Sequence, residues 1–276
     1  MRGKTAEIRI YEHLQPGITY KIVLNKYLCD ILGTNLANPV ALAFSSGATT
    51  DTGSISGKVY NYNLTPATEA LLLAYSVGSQ KTDPDYLTQT GPDGSFRIEH
   101  LAAGQYRIFA VNDRDHDMRF NPSREPAAVP DRPSIASGTS SILLRFAADE
   151  HSQSGQTPSV TDRMNDQPGM LTGSCRANAG ALTVEALRQG DNVSFLTTAD
   201  RVGKGLFRYT FPSLPPGTYT VSASIPAKPG NNKPPKAWKP GRLEPFAPSD
   251  AFGVYADTVR IRPGWITDAI DFAVSP

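Results

Sequence analysis

The sequence predicts an all-β protein built of tandem antiparallel β-sandwiches, and three observations carry that prediction. Apolar and polar residues alternate over short stretches. Phe96 and Ile98, then Tyr106, Ile108 and Ala110, fall on period two, with Arg97, Glu99 and Arg107 interleaved, which is the pattern of half-buried strands. The 276 residues include 23 Gly and 23 Pro, a supply of turn-formers that suits many short strands rather than long helices. The pattern also occurs twice. Gly94, Phe96, Arg97, Leu101, Gly104 and Tyr106 are matched by Gly205, Phe207, Arg208, Leu214, Gly217 and Tyr219. Gly53 and Gly57 are matched by Gly169 and Gly173 at nearly the same offset, so the chain contains a duplicated module of ordinary domain size.

Residues 1–52 resemble neither repeat. Residues 6–11 alternate, a turn around Pro16-Gly17 leads into a strand ending at Leu24, residues 30–36 turn the chain, and residues 40–44 form a third strand. The first repeat, residues 53–146, opens with a strand and continues into the apolar run 70–75. No segment has a convincing helical period, and residues 68–73 leave room for at most one turn of helix. Residues 94–111 are expected to form a hairpin whose two strands pair with each other across a turn at Gly104. A closing strand follows at residues 140–146. Residues 147–168 are polar, carry four acidic residues against one Arg, and predict a flexible linker. The second repeat, residues 169–276, has its own hairpin turned by Pro215-Pro216 and a closing strand at residues 266–274.

Composition narrows the function classes. A net charge of +1 provides no field for nucleic acid. No apolar run approaches the roughly 20 residues of a transmembrane helix, and Met1-Arg-Gly-Lys does not lead into an apolar stretch of the signal-peptide type. Cys29 and Cys175 have no metal-type spacing, and nothing supports a disulfide between them. His13, His100, His116 and His151 are scattered and match no catalytic motif. The expectation is a non-enzyme with no catalytic residues and no required cofactor.

Two stretches carry binding chemistry. Asp113, Asp115 and Asp117 stand at alternate positions, the way calcium loops gather carboxylates round one hard cation, with Asn121 and Glu125 as further oxygen donors. Met118 and Arg124 stand where an EF-hand loop has Gly and Glu. The alternative is a structured turn in which Arg114, Arg119 and Arg124 neutralise the carboxylates and the Asp side chains make Asx-turns. The second repeat replaces this loop with residues 226–242, which are rich in Lys and Pro and contain Trp238. Trp238 and Trp265 are candidate platforms for a sugar or polyanion. The alternative is that the Trp238 ring packs on the sandwich edge while the lysines remain solvated.

These motifs resemble those of the transthyretin-like (carboxypeptidase regulatory-like, or prealbumin-like) modules. The opening Gly53-Ser-Ile-Ser-Gly57 and the run from Asp93 through Gly94, Phe96, Leu101 and Gly104 to Tyr106 carry that resemblance. Leu14, Pro16, Thr19, Tyr20, Asp30, Gly33, Leu36, Phe44, Ser45 and Gly47 are similar to the C-terminal part of a bacterial Ig-like domain, with Asn35 departing from its pattern. The order of the parts, with Phe109, Ala110, Asp113, Asp115 and Asp117 after the first hairpin, resembles multidomain surface proteins of Bacteroidetes-type bacteria. The resemblance implies an extracellular or cell-surface location, with the rest of the Ig-like domain and a signal peptide upstream. It also implies a spacer, scaffold or adhesive role toward a protein or glycan partner. The alternative reading is a carbohydrate-binding accessory region of a larger secreted enzyme.

Overall fold

The computed structural model describes residues 8–11, 13–24, 28–36, 40–79, 81–122, 124–147, 167–227 and 248–274. Residues 148–166 of the expected linker 147–168, Trp238 and most of the Lys-rich loop lie outside the described residues. All named elements are strands, and the protein is all-β.

The N-terminal piece is a two-stranded antiparallel ribbon of β1 (Thr19–Leu24) and β2 (Val40–Ser45). Tyr20 stacks on Phe44 with ring centroids 5.7 Å apart. Asp30 makes the intervening turn by accepting the amides of Leu32 and Thr34. Residues 8–11 form no strand despite their alternation, and Ile8, Ile10 and Tyr11 are exposed. Period two needs a partner edge to become a strand, and among the described residues none is paired with it.

The first sandwich comprises β3 (Gly53–Tyr60), β4 (Leu71–Ser76), β5 (Tyr86–Gln89), β6 (Ser95–Leu101), β7 (Gln105–Val111), β8 (Ala127–Ala128), β9 (Ile135–Ala136) and β10 (Ile142–Arg145). One sheet has the order β10-β3-β6, and the other runs β5-β4-β7-β8 with β9 also on β7. Strands β6 and β7 therefore lie in different sheets and do not form the expected hairpin. Leu101 to Gly104 carries the chain across the sandwich, and the period-two apolar faces of the two strands meet through the core instead of lying side by side. Alternation specifies which face is buried, not which neighbour supplies the hydrogen bonds. Nor does the structure contain a turn of helix at residues 68–73. Thr68 and Glu69 make a turn, Glu69 adopts φ 65°, and β4 starts at Leu71. A stretch as uniformly apolar as Leu-Leu-Leu-Ala-Tyr suits a strand buried on both faces.

The second sandwich comprises β11 (Gly169–Arg176), β12 (Thr183–Arg188), β13 (Ser194–Thr198), β14 (Asp200–Gly203), β15 (Leu206–Leu214), β16 (Gly217–Ile225), β17 (Ala251–Val254), β18 (Val259–Ile261), β19 (Ile266–Thr267) and β20 (Phe272–Ala273). Its sheets are β14-β15-β11-β19, with β20 also on β11, and β13-β12-β16-β17, with β18 also on β16. Strands β15 and β16 are again separated between the two sheets. Each sandwich has its own hydrophobic core, one around Ile55, Phe96, Ile98 and Leu144 and the other around Leu171, Phe207, Tyr209 and Val221.

The repeated motif residues have identifiable jobs. Tyr106 donates to the carbonyl of Ala102 and Tyr219 to that of Pro215, at 2.8 and 2.7 Å, so each tyrosine ties the crossing segment to the start of the next strand. This is the economy of a tyrosine corner. The closing strands run parallel to the opening ones, β10 on β3 and β20 on β11. They pass so near Gly57 and Gly173 that a Cβ there would sit 1.9 Å from the Ile142 carbonyl oxygen or 2.0 Å from that of Ile270. Only glycine admits that approach.

Candidate functional site

The acidic loop is residues 112–126, between β7 and β8. These strands pair antiparallel through Ala110–Ala128 and Val111–Ala127, and the Asn112 amide donates to the Pro126 carbonyl, which closes the loop at its base. Its seat follows from the sequence of β4 and β7. Their inward residues Leu72, Ala74, Ile108 and Ala110 join the main core. Their outward residues Leu71, Leu73, Tyr75, Phe109 and Val111 are also buried and form a second apolar cluster. Met118 and Phe120 pack on that cluster, Phe120 edge-on to Phe109 with centroids 5.4 Å apart. The loop is therefore a lid on the sheet's outer face, held there by hydrophobic burial.

Glu125 is 5% exposed, and its two oxygens accept the amides of Arg114 and Asn121 at 3.2 and 2.8 Å, tying the two arms of the loop together. Asn121 offers its backbone carbonyl to the Arg124 and Glu125 amides, completing that turn. On the other arm, one oxygen from each of Asp113, Asp115 and Asp117 lies within 4.8 Å of the other two. Asx-type bonds organise these side chains. Asp113 Oδ2 accepts the Met118 amide, Asp115 Oδ1 that of Asp117, and Asp117 Oδ1 that of Arg119. Asp115 and Asp117 are exposed, whereas Asp113 is 4% exposed and its Oδ1 has no hydrogen-bond partner. A buried acceptor in that condition costs about 1–3 kcal/mol. Structure thus brings three of the five expected donors together and uses Glu125 as a brace.

The second place where chemistry concentrates is the junction between the sandwiches. Arg145, at the end of β10, donates through Nε and Nη2 to the Tyr62 carbonyl and through Nη1 to Glu185 Oε2 at 3.0 Å. Glu185, on β12, also accepts from Ser194 Oγ at 2.8 Å and Ser222 Oγ at 3.4 Å. Ser249 bonds the Val129 and Pro130 carbonyls, and Tyr60 meets Phe252 edge-on at 6.0 Å. Around these groups lies an open cleft of about 550 Å³ lined by Tyr62, Arg145, Glu185, Asn192, Ser194 and Phe252 among others. Sequence reasoning did not find this cleft, because Arg145 and Glu185 belong to separate modules and match no motif.

Trp265 is 66% exposed in the turn before β19, and its carbonyl accepts the Met170 amide. Burial pushes the Cys175 thiol up to about 11 and the Tyr75 phenol up to about 12, the nearby Asp83 and Asp85 adding to the latter. Among the carboxylates with lowered pKa values, Asp85 has a structural role. Burial alone would raise the pKa of Asp85, but its bonds from Lys81 and the Ser76 amide outweigh that and hold it below the usual range.

No protein-family model matches the chain, and comparison with curated protein sequences gives no match. Among solved structures, the chain is similar to the Bacillus anthracis TIE protein, with 12% identity over 86% of this chain and 35% of that one and a TM-score of 0.23. It thus spans about a third of that protein's length. It is also similar to the shaft pilin SpaA of Lactobacillus rhamnosus GG, with 11% identity over 82% and 99% of the two chains and a TM-score of 0.23. The fimbrial anchor protein Mfa2 of Porphyromonas gingivalis gives 13% identity over 61% and 77%, with a TM-score of 0.20. Likeness this distant is a likeness of β-rich architecture and says nothing of function.

Proposed function

We propose that the chain is a non-enzymatic β-sandwich segment of a cell-surface protein in which the two transthyretin-like modules work together as a stiff spacer or scaffold. The observation that carries this is the junction, where a charge pair, two hydrogen bonds from Ser249 (amide and hydroxyl) to backbone carbonyls and an aromatic contact join modules that have separate cores. Beads on a flexible string have no need of such bonds. The Arg145–Glu185 pair is partly sheltered, with side chains 29% and 18% exposed, and is worth more than an open surface pair. The titrating groups also speak for structure over catalysis. A thiol raised to about 11 stays protonated at neutral pH, opposite to what a cysteine nucleophile requires. The surface location rests on the resemblance of the module and Ig-like motifs to bacterial surface proteins.

NMR relaxation of the full chain tests the reading. Both modules are expected to report one rotational correlation time, and Arg145→Ala combined with Phe252→Ala is expected to separate the two values. Independent tumbling of the modules in the unsubstituted chain, or turnover of ester, peptide or glycoside substrates by the pure protein, overturns it.

A further inference from the structure

We propose that the loop after β7 is a calcium site in which Asp113, Asp115 and Asp117 contribute carboxylate oxygens to one Ca²⁺. The inference stands on the loop itself and is independent of the spacer reading. Neighbouring surface carboxylates are common without an ion. This group is set apart by Asp113, whose side chain is 4% exposed, gives one oxygen to the Met118 amide, and keeps the other buried with no donor. Buried acceptors in folded proteins are nearly always satisfied by protein, water or an ion. A cation held by Asp113 and reached through the exposed Asp115 and Asp117 supplies what that oxygen lacks, with entry open from solvent.

Donor chemistry narrows the ion. All three donors are carboxylate oxygens, which suit hard cations rather than zinc or copper. The three oxygens lie close enough to share one cation, and Ca²⁺ takes such donors in a flexible shell at bond lengths of about 2.4 Å. Mg²⁺ demands near-ideal octahedral geometry at about 2.1 Å and gives up its waters reluctantly, which suits it less to a loop of protein carboxylates. The frame is set before the ion arrives, because Glu125 fastens the two arms and Phe120 anchors the loop to the sheet. His116 and Met118 take φ values of 63° and 62°, which keeps the chain turning between successive aspartates.

The test is calorimetric titration of the chelator-treated full chain with CaCl₂, paired with thermal melting in CaCl₂ and in EGTA. One Ca²⁺ per chain and a higher melting temperature in millimolar CaCl₂ are expected, with an affinity in the range of extracellular calcium modules, about 10⁻⁴–10⁻³ M. Asp115→Asn and Asp117→Asn alter exposed side chains and keep the fold. Each is expected to weaken binding about tenfold or more and to remove the gain in melting temperature. Asp200→Asn, on an exposed strand of the second sandwich, is expected to change neither. Identical melting in CaCl₂ and EGTA with no heat of binding, or binding unaltered in both Asp115→Asn and Asp117→Asn, overturns the proposal. Mg²⁺ bound as tightly as Ca²⁺ overturns the assignment to calcium.

Discussion

The two modules repeat one scaffold and differ most on the outer face of one sheet. In the first, β4 and β7 turn Leu71, Leu73, Tyr75, Phe109 and Val111 outward, and the acidic loop covers them. In the second, the same face of β12 and β16 is mostly polar, with Thr183, Glu185, Thr218, Thr220, Ser222 and Ser224 beside the single Leu187, and Glu185 looks across the junction to Arg145. Inner faces are constrained by the core, so duplication keeps them alike. Outer faces answer to whatever lies on them, here a lid in one copy and a neighbouring module in the other. Within a repeated fold, divergence of the solvent side therefore marks where function separates.

The largest expected effect probes what the modules have in common. Gly57→Ala and Gly173→Ala each force a methyl group into a closing-strand carbonyl at about 2 Å. Because backbone is the obstacle, each is expected to cost about 3 kcal/mol or more. Hydrogen-exchange mass spectrometry should show the loss in the substituted module first. If either variant melts like the parent, the closing strand is not held against the opening one.

Alkaline titration sharpens the comparison. Tyr75 lies on the outer cluster of the first module only, and its pKa is pushed up to about 12 by burial and then by Asp83 and Asp85. The folded state favours the neutral phenol, so this contribution is complete below the unfolded tyrosine value of about 10 and is lost as pH rises toward 12. Over two pH units that amounts to at most about 2.7 kcal/mol. Tyr75→Phe is expected to lessen the fall in first-module stability from pH 10 to 12, with Tyr106 sustaining the remainder, while the second module keeps its own, which Tyr209 and Tyr219 sustain. The sequence's 2 Trp, Trp238 and Trp265, both belong to the second module, so their fluorescence in a urea series follows that module alone. An unchanged alkaline slope in the first module removes Tyr75 from the account.

The smallest effect is confined to the lid. Phe120→Ala uncovers the outer cluster and is expected to destabilise the first module by about 2 kcal/mol, scaled to a half-buried aromatic. Amides of β4 and β7 should exchange faster while those of β12 and β16 do not change. Equal acceleration in both modules would mean that the lid acts through the junction rather than on its own sheet.

How far the sequence carried depended on whether a feature was local. Alternation at Phe96, Ile98, Tyr106 and Ile108 identified buried faces correctly, since burial side is a property of one strand. The same alternation misled on pairing, because a hairpin and an arch between sheets bury the same residues. Residues 8–11 alternate without becoming a strand, and residues 68–73, which left room for a helical turn, run into a strand from Leu71. In both cases the deciding partner lay elsewhere in the chain. The spacing of Asp113, Asp115 and Asp117 was plain in the sequence, but the burial of Asp113 and the bracing role of Glu125 were not.

By itself, then, the sequence determined the all-β class, the duplication and the acidic loop, because composition, period and spacing record what each short segment does with its own side chains. Tertiary structure alone decided that β6 and β7 belong to opposite sheets, that the closing strands run parallel to the opening ones, and that Arg145 meets Glu185. Those outcomes depend on which distant backbone offers a free edge and which distant surface offers an opposite charge. Hydrogen bonds and ion pairs between remote segments leave no period in the chain that makes them.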